Sequence, residues 1–391
     1  MGSPYWDCPL LLYKGWIVMK KVIILGGGIL GASAAYELTK QGAEVIIIDR
    51  EDIGQATKAA AGIICPWNSQ RRNKRWYTLA REGAKYYPQL ISELSEFNLL
   101  DTGYKKVGAL CLHSDLSKLE AMKERTLNKK LEAPEIGDVS IISSNEAKEL
   151  FPVLATGYDA LYISGAARVD GWALRNTLLK ASEALGATFI RSNAKLIKSN
   201  NRITGVQLDN QTIIYGDEVL ITAGVWANEL LHPVHLALDV KAQKGQIMHI
   251  TIPNIDCNNW PVVMPPHDQY LLTLNNRIVI GATHENVTEL NPSITLSGMK
   301  EIIDKALMFA PGLDASIYSE VKVGFRPFTA DFLPVFGKVE TYQGLSVANG
   351  LGASGLTMGP FIGKQLANLL LDKQTEVDLN DYPIQDSLKE L

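Results

Sequence analysis

The sequence predicts an α/β fold, α+β overall, and three observations predict it. Between Lys20 and Asp49 a β-branched apolar run opens into a glycine cluster, an alanine-rich helix and a second apolar run. Near Gly350 another apolar run passes through a glycine-rich turn into a helix. Between these two features, short strand-like segments are divided by Asn, Pro and Gly, as in a β-rich unit. At 391 residues and 46% hydrophobic, the chain exceeds the size at which a single core stops growing, so two structural units are expected.

The first feature reads as a βαβ unit. Lys20-Lys21-Val22-Ile23-Ile24-Leu25 has the composition of a buried parallel strand. It runs into Gly26-Gly27-Gly28-Ile29-Leu30-Gly31 and then the helix-forming stretch Ala32–Lys40, which Gly42 closes. Val45–Ile48 is the second strand, ending in Asp49. Gly26 permits the tight turn, Gly28 lets a pyrophosphate approach backbone, and Gly31 lets the helix pack close to the strand. The helix N-terminus offers free N–H groups and a positive dipole end to phosphate. Asp49 lies roughly 20 residues beyond the glycines, where a carboxylate accepts ribose hydroxyls. The unit is therefore a Rossmann-type dinucleotide site. An acid at Asp49 disfavours a 2′-phosphate, an inference softened by Arg50, and the motif alone does not separate NAD from FAD.

Further along, Asp170–Leu174 opens a helix running to about Leu185, with Gly186 as its cap. Strand-like pieces follow at Thr188–Ile190, Ile203–Leu208 and Thr212–Ile214, and Glu218–Trp226 is a buried strand ending in a glycine turn. Gly344–Asn349 is a strand leading through Gly350-Leu351-Gly352-Ala353-Ser354-Gly355-Leu356-Thr357 to a helix from about Pro360 to Leu371. The amides of this second turn are placed to cradle the pyrimidine end of a flavin, and the helix dipole to stabilise negative charge on the reduced ring.

Composition excludes other classes. The net charge is −4 with no long basic run, which argues against a nucleic-acid partner. Cys8, Cys65, Cys111 and Cys257 form no Cys-x-x-Cys, so neither a disulfide framework nor a zinc site is expected, and a reducing cytoplasm is the natural compartment. His232 and His235 flank a proline and read as loop residues, and no metal is expected. Met1–Val18 is interrupted by Lys14 and Gly15 and lacks the marks of a signal peptide; the natural start is expected at Met19. No segment is long and apolar enough to cross a membrane.

The chain resembles the D-amino-acid oxidase (DAO) family of flavoproteins, most closely its glycine oxidase and D-amino-acid dehydrogenase-like members. The resemblance runs from Lys20 to about Asp372 and rests on four ordered blocks: Gly26–Gly31; Ala56-Thr57-Lys58-Ala59-Ala60-Ala61-Gly62-Ile63; Thr222-Ala223-Gly224-Val225-Trp226; and Gly324-Phe325-Arg326-Pro327 with Asp331, Pro334 and Gly337, followed by the Gly350–Thr357 turn. It implies an FAD-binding domain of residues 19–103, 166–230 and 322–391, with a discontinuous β-rich substrate domain of 104–165 and 231–321. Lys106–His113, Gly245–Ile252, Tyr270–Leu274 and Arg277–Gly281 are its strand candidates, and the helix around Trp76–Phe97 belongs to the FAD side.

The resemblance also implies roles. Ile29 and Leu30 would touch the pyrophosphate by backbone, and Asp49 with Arg50 would hold the adenosine ribose. Ala56, Thr57, Ala61, Gly62 and Ile63 would line phosphate, ribityl chain and flavin edge. Lys195 would contact adenine through its main chain, and Thr222, Gly224, Trp226 and Leu351, Gly352, Ala353, Ser354, Gly355, Leu356, Thr357 would wrap the rest. FAD is expected to bind non-covalently, because Cys65 lies in an apolar context. The activity implied is oxidation of the C–N bond of a small amino acid or amine by hydride transfer to flavin N5, followed by imine hydrolysis.

Arg326 is the expected carboxylate anchor, since a guanidinium grips a carboxylate bidentately. Tyr270 is expected to hydrogen-bond substrate and His284 to form pocket wall. Glycine oxidase-like proteins carry a second arginine where this chain has Ala353, so a D-amino acid, sarcosine or an imino acid is as eligible as glycine. A 2-hydroxy acid oxidoreductase and a non-catalytic flavin-binding protein are the alternatives. Oxygen or a quinone-type carrier would reoxidise the flavin. Homo-oligomers and peripheral association with the inner face of a membrane are compatible with the sequence.

Overall fold

The computed structural model describes residues 19–391, so the expectation for Met1–Val18 lies outside the described residues. Six strands form the central sheet, in the spatial order Val335–Lys338, Leu345–Asn349, Glu218–Ile221, Lys21–Leu25, Glu44–Asp49, Thr188–Arg191. All neighbours run parallel except the edge strand Val335–Lys338. The first strand is central because both its faces are apolar: Val22, Ile23 and Ile24 are fully buried between Glu218–Ile221 and Glu44–Asp49.

Helices Ile29–Lys40 and Gly355–Leu370 lie side by side against this sheet. Small residues set their approach. A Cβ on Gly363 would fall 2.6 Å from the Cβ of Ser33, and one on Gly359 would fall 3.1 Å from Ile29. The last helix begins at Gly355, five residues before the expected start at Pro360. A proline inside a helix leaves the carbonyl four residues earlier without its N–H partner. Here that carbonyl, on Leu356, accepts the Tyr87 hydroxyl at 2.5 Å from helix Lys74–Ser95. The external donor makes the longer helix tolerable.

A second, nine-stranded sheet stands apart from the first. Its strands include Ala109–His113, Val139–Ile142, Asp159–Ile163, Lys241–Thr251, Val262–Met264, Tyr270–Leu274, Arg277–Gly281 and Glu285–Val287. The expected strand Lys106–His113 is broken into Lys105–Lys106 and Ala109–His113, since Gly108 between them has φ +77°. Lys241–Thr251 pairs along almost its whole length with Ile317–Phe328. This last strand continues towards the first unit, where the Phe325 N–H donates to the Gly54 carbonyl at 2.9 Å. Among the described residues no helix is long and apolar enough to cross a membrane.

Two predictions follow from the packing. Gly363→Val forces the paired helices apart and should cost about 1–3 kcal/mol, read as a lowered midpoint in chemical unfolding. His249 is buried in the outer sheet, with neither ring nitrogen hydrogen-bonded among the described residues. Burial and the Lys322 cation outweigh Glu320 and hold its imidazole at about 4. Because this lies below the ordinary value near 6.5, the stability involved is present above pH 6.5 and is lost as pH falls towards 4. His249→Leu should remove that part of the acid sensitivity, narrowing the fall in Tm between pH 7 and 4.5 by about 2–4 °C.

Candidate active site

The turn between the first strand and first helix is built by its glycines. Gly26 adopts φ +107°, and a Cβ there would fall 2.7 Å from the Thr222 carbonyl oxygen. Gly31 packs its Cα onto the Gly26 carbonyl. Thr222 fixes the same carbonyl by donating its hydroxyl at 2.6 Å. Asp49, buried at the end of the second strand, accepts the Gly27 N–H through Oδ2 and both the Glu51 N–H and Gln55 Nε2 through Oδ1. Below the turn, buried Arg175 donates Nε to the Gly27 carbonyl at 2.6 Å. The amides of Gly28 and Leu30 line the cavity and, among the described residues, donate to no acceptor. They are helix N-terminal donors left for an anion.

The second turn reaches the same cavity. Thr357 donates its hydroxyl to the Ile63 carbonyl at 3.1 Å, tying the last helix to the Ala56–Ile63 segment. Asn349, at the end of its strand, donates Nδ2 to the Gly224 carbonyl at 2.8 Å and accepts the Gly350 N–H at 2.8 Å. One buried amide thus joins two glycine turns that are 126 residues apart in sequence (350 minus 224).

The cavity so formed measures about 490 Å³. It is lined at one end by Asp49, Arg50 and Lys195, along its length by Gly26, Gly28, Ile29, Leu30, Ala56, Thr57, Ala61, Gly62, Ile63, Thr222, Gly224 and Trp226, and beside them by Leu351, Gly352, Ala353, Gly355, Leu356 and Thr357. Arg326, Tyr270 and His284 also line it. Of the residues expected from sequence, Gly31 and Ser354 are not in the lining. Gly31 is occupied in the helix–turn contact, and Ser354 lies inside a 3₁₀ turn with its N–H donated to Leu351. The Arg50 guanidinium is already paired with Asp52 at 2.7 Å and Glu229 at 2.6 Å.

At the far end, Arg326 lies over Gly245, whose Cβ would fall 2.7 Å from an Arg326 terminal nitrogen. Nη1 donates to Gln243 Oε1 at 2.9 Å and to the Thr283 carbonyl at 3.3 Å, while Nε and Nη2 bond to nothing among the described residues. Among the described residues no carboxylate pairs with it. Burial draws its pKa down, and nearby Tyr270 opposes that shift. Tyr270 stands on strand Tyr270–Leu274, its phenol pushed up to about 12 by burial against the counter-effect of Arg326. His284 places Nδ1 3.4 Å from Asp268 Oδ2, and Lys305 holds Asp268 at 3.0 Å.

A family model described as "DAO: FAD dependent oxidoreductase" matches residues 21–369. The chain belongs to the DAO family of FAD-dependent oxidoreductases. It is 55% identical over 366 residues to the uncharacterized oxidoreductase YurR of Bacillus subtilis (strain 168), covering 93% of this chain and 98% of that one. The crystal structure of iminodiacetate oxidase (IdaA) from Chelativorans sp. BNC1 superposes with a TM-score of 0.90 at 40% identity, covering 93% and 98% of the two chains. Glycine oxidase from Geobacillus kaustophilus superposes with a TM-score of 0.82 at 26% identity, covering 94% and 99%.

FAD is accordingly the cofactor of this DAO-family chain, and the cavity suits it. Unpaired amides meet the pyrophosphate position of the motif, and a dipole-bearing helix start meets a neutral, small-residue wall. Asn349, Arg175 and Asp268 were missed from sequence because each acts by reaching a segment distant along the chain, and Gln55 was missed although its partner Asp49 is only six residues away. Only Asn349 carried a signal, as the polar residue ending an apolar strand at a glycine turn. Asn349→Leu leaves two backbone groups unpaired, a loss of about 1–3 kcal/mol. It should weaken FAD retention by roughly tenfold or more, measured from the absorbance lost on dialysis.

Proposed function

We propose that this DAO-family chain oxidises the C–N bond of a small amino acid or amine, holding the substrate carboxylate on Arg326. One observation carries the reading: a half-buried guanidinium on the cavity wall has two nitrogens unused and no acidic partner among the described residues. A cation drawn partly out of water with no counter-charge is costly unless a ligand supplies one. The bidentate fit of guanidinium to carboxylate makes that ligand an acid. The iminodiacetate oxidase likeness puts imino diacids, secondary amines bearing two carboxymethyl groups, at the head of the candidates, before sarcosine, glycine and D-amino acids.

In this reading Arg326 fixes the carboxylate and thereby the position of the amine-bearing carbon. Tyr270 keeps its proton throughout the physiological range, because burial holds it near 12, and it donates to the bound acid. Bound FAD supplies the acceptor for the hydride. Trp226 and Phe325, packed edge to face at 6.5 Å, keep this part of the lining apolar and help exclude water. We further assign FAD binding to residues 19–103, 166–230 and 322–391 and substrate binding to 104–165 and 231–321. Supporting this, the six-stranded sheet draws strands only from the first set and the nine-stranded sheet mostly from the second, with Ile317–Phe328 straddling the boundary at 322.

The test is anaerobic bleaching of the yellow protein with iminodiacetate, sarcosine, glycine, proline, D-amino acids and 2-hydroxy acids. Bleaching by an amine is expected; bleaching by hydroxy acids alone overturns the C–N assignment. Reoxidation by air or by a soluble quinone then identifies the acceptor. Arg326→Ala should raise KM by about 10²-fold, the loss of a charged hydrogen-bonded anchor, with FAD still bound. Tyr270→Phe should raise KM by about tenfold or less.

A further inference from the structure

The nitrogen of an amino acid carries an extra proton at neutral pH, and in that form it has no lone pair to support loss of hydride from the neighbouring carbon. Something at the substrate end of the cavity must take that proton or the enzyme must wait for the rare neutral amine. Three titratable side chains stand there besides Arg326: Tyr270, Asp268 and His284. Tyr270 holds its own proton to about 12 and cannot accept another. Asp268 is engaged with Lys305 at 3.0 and 3.3 Å. His284 faces Asp268 from Glu285's strand end, with Nδ1 3.4 Å from Oδ2, an arrangement that places a proton on Nδ1 and leaves Nε2 a lone pair.

We propose that His284, backed by Asp268, accepts the proton from the substrate ammonium group as the amino acid binds. The proposal rests on the amine-oxidising reading above and gives that site its base. The N–H bond of the ammonium breaks, its electron pair stays on the substrate nitrogen, and the proton goes to Nε2; no group is oxidised or reduced in this step. The resulting imidazolium is balanced by Asp268 behind it and by the carboxylate on Arg326. Its side chain stays 35% exposed, so the proton can pass on to water.

The surrounding charges tune this base. Arg326 faces His284 from strand Ile317–Phe328, Lys305 and Glu301 from helix Leu296–Phe309, and Asp268 from the turn before Tyr270. His267, next to Asp268, approaches it at 4.0 Å. Burial and Arg326 together outweigh Asp268 and draw His284 below its ordinary value, so it is neutral and ready to accept at pH 7. Asp268 itself is held below the usual carboxylate range: burial would raise it, but Lys305 outweighs burial.

The test uses the holoenzyme and the amine that bleaches it in the screen above. In the wild type kcat/KM should be level from pH 7 to 9. His284→Gln should retain FAD and lose about 10²-fold at pH 7, the usual worth of a positioned base. Its kcat/KM should climb close to tenfold per pH unit until the free amine predominates, converging on wild type near pH 9.5. Asp268→Asn should fall between the two. A second readout needs no turnover: acetate binding, followed by the flavin absorbance change, should tighten as pH drops from 7 to 5 in the wild type and stay level in His284→Gln. Parallel pH profiles, with the variant lower by a constant factor, would reduce His284 to a structural role and overturn the proposal. So would acetate binding that is equally level in both proteins. Failure of every amine to bleach the wild type would instead remove the function on which the proposal stands.

Discussion

Two helices that begin at glycine turns, one near each end of the described chain, lie so close that the last one has no room for a side chain at Gly363 where they cross. Gly363 rests on Ser33 and Ala34, and Gly359 on Ile29. This contact is short because dispersion and backbone packing need small residues on both faces. Much else depends on it. Once the helices are paired, their N-termini open on one cavity, and the strands that feed them, Lys21–Leu25 and Leu345–Asn349, must flank the single strand Glu218–Ile221. Asn349 and Thr357 then fasten turn to turn. A chain that could not bring these helices together would still form two glycine loops, but they would not share a ligand.

Charge is divided along the cavity in a way that suits a long, unsymmetrical cofactor with a small acid beyond it. Carboxylates gather at the nucleoside end, where Asp49 is saturated by backbone and amide donors and Asp52 and Glu229 neutralise Arg50. The middle is nearly neutral and presents backbone. At the Arg326 end the balance reverses: among the described residues Arg326 has no acidic partner, and Asp268 is directed to His284 and Lys305. Asp49 and Arg50 are thus matched inside the protein, whereas Arg326 is left for the ligand of opposite sign proposed above.

Local pattern made the nucleotide half readable from sequence. Lys20 to Asp49 contains strand, turn, helix, strand and acid within one short stretch, so every part of the inference is a neighbour of the next. The roles proposed for Arg326 and Tyr270 came only through the family resemblance, since nothing in Gly324–Pro327 by itself distinguishes an anchor from a surface arginine. The roles of Asp268 and Asn349 depend on partners 16 and 125 residues away (284 minus 268, 349 minus 224), and periodicity carries no such information. The start of the last helix was misplaced because Pro360 is an honest local stop signal; only the remote Tyr87 hydroxyl cancels it. Arg50 was expected to serve a ribose, yet Glu229, remote in sequence, competes for it.

Strand Ile317–Phe328 carries neighbouring residues to different tasks. Phe325 bonds by backbone to Gly54 in the nucleotide unit, while Arg326 lies over Gly245 of the outer sheet. The separation between the cofactor bed and the proposed acid anchor is therefore a matter of ladder register, which slips only in whole residues. A ruler of fixed length cannot adapt to molecules in which acid and nitrogen stand further apart. On the proposed reading, selection among molecules of the right spacing falls on whatever is attached beyond the nitrogen.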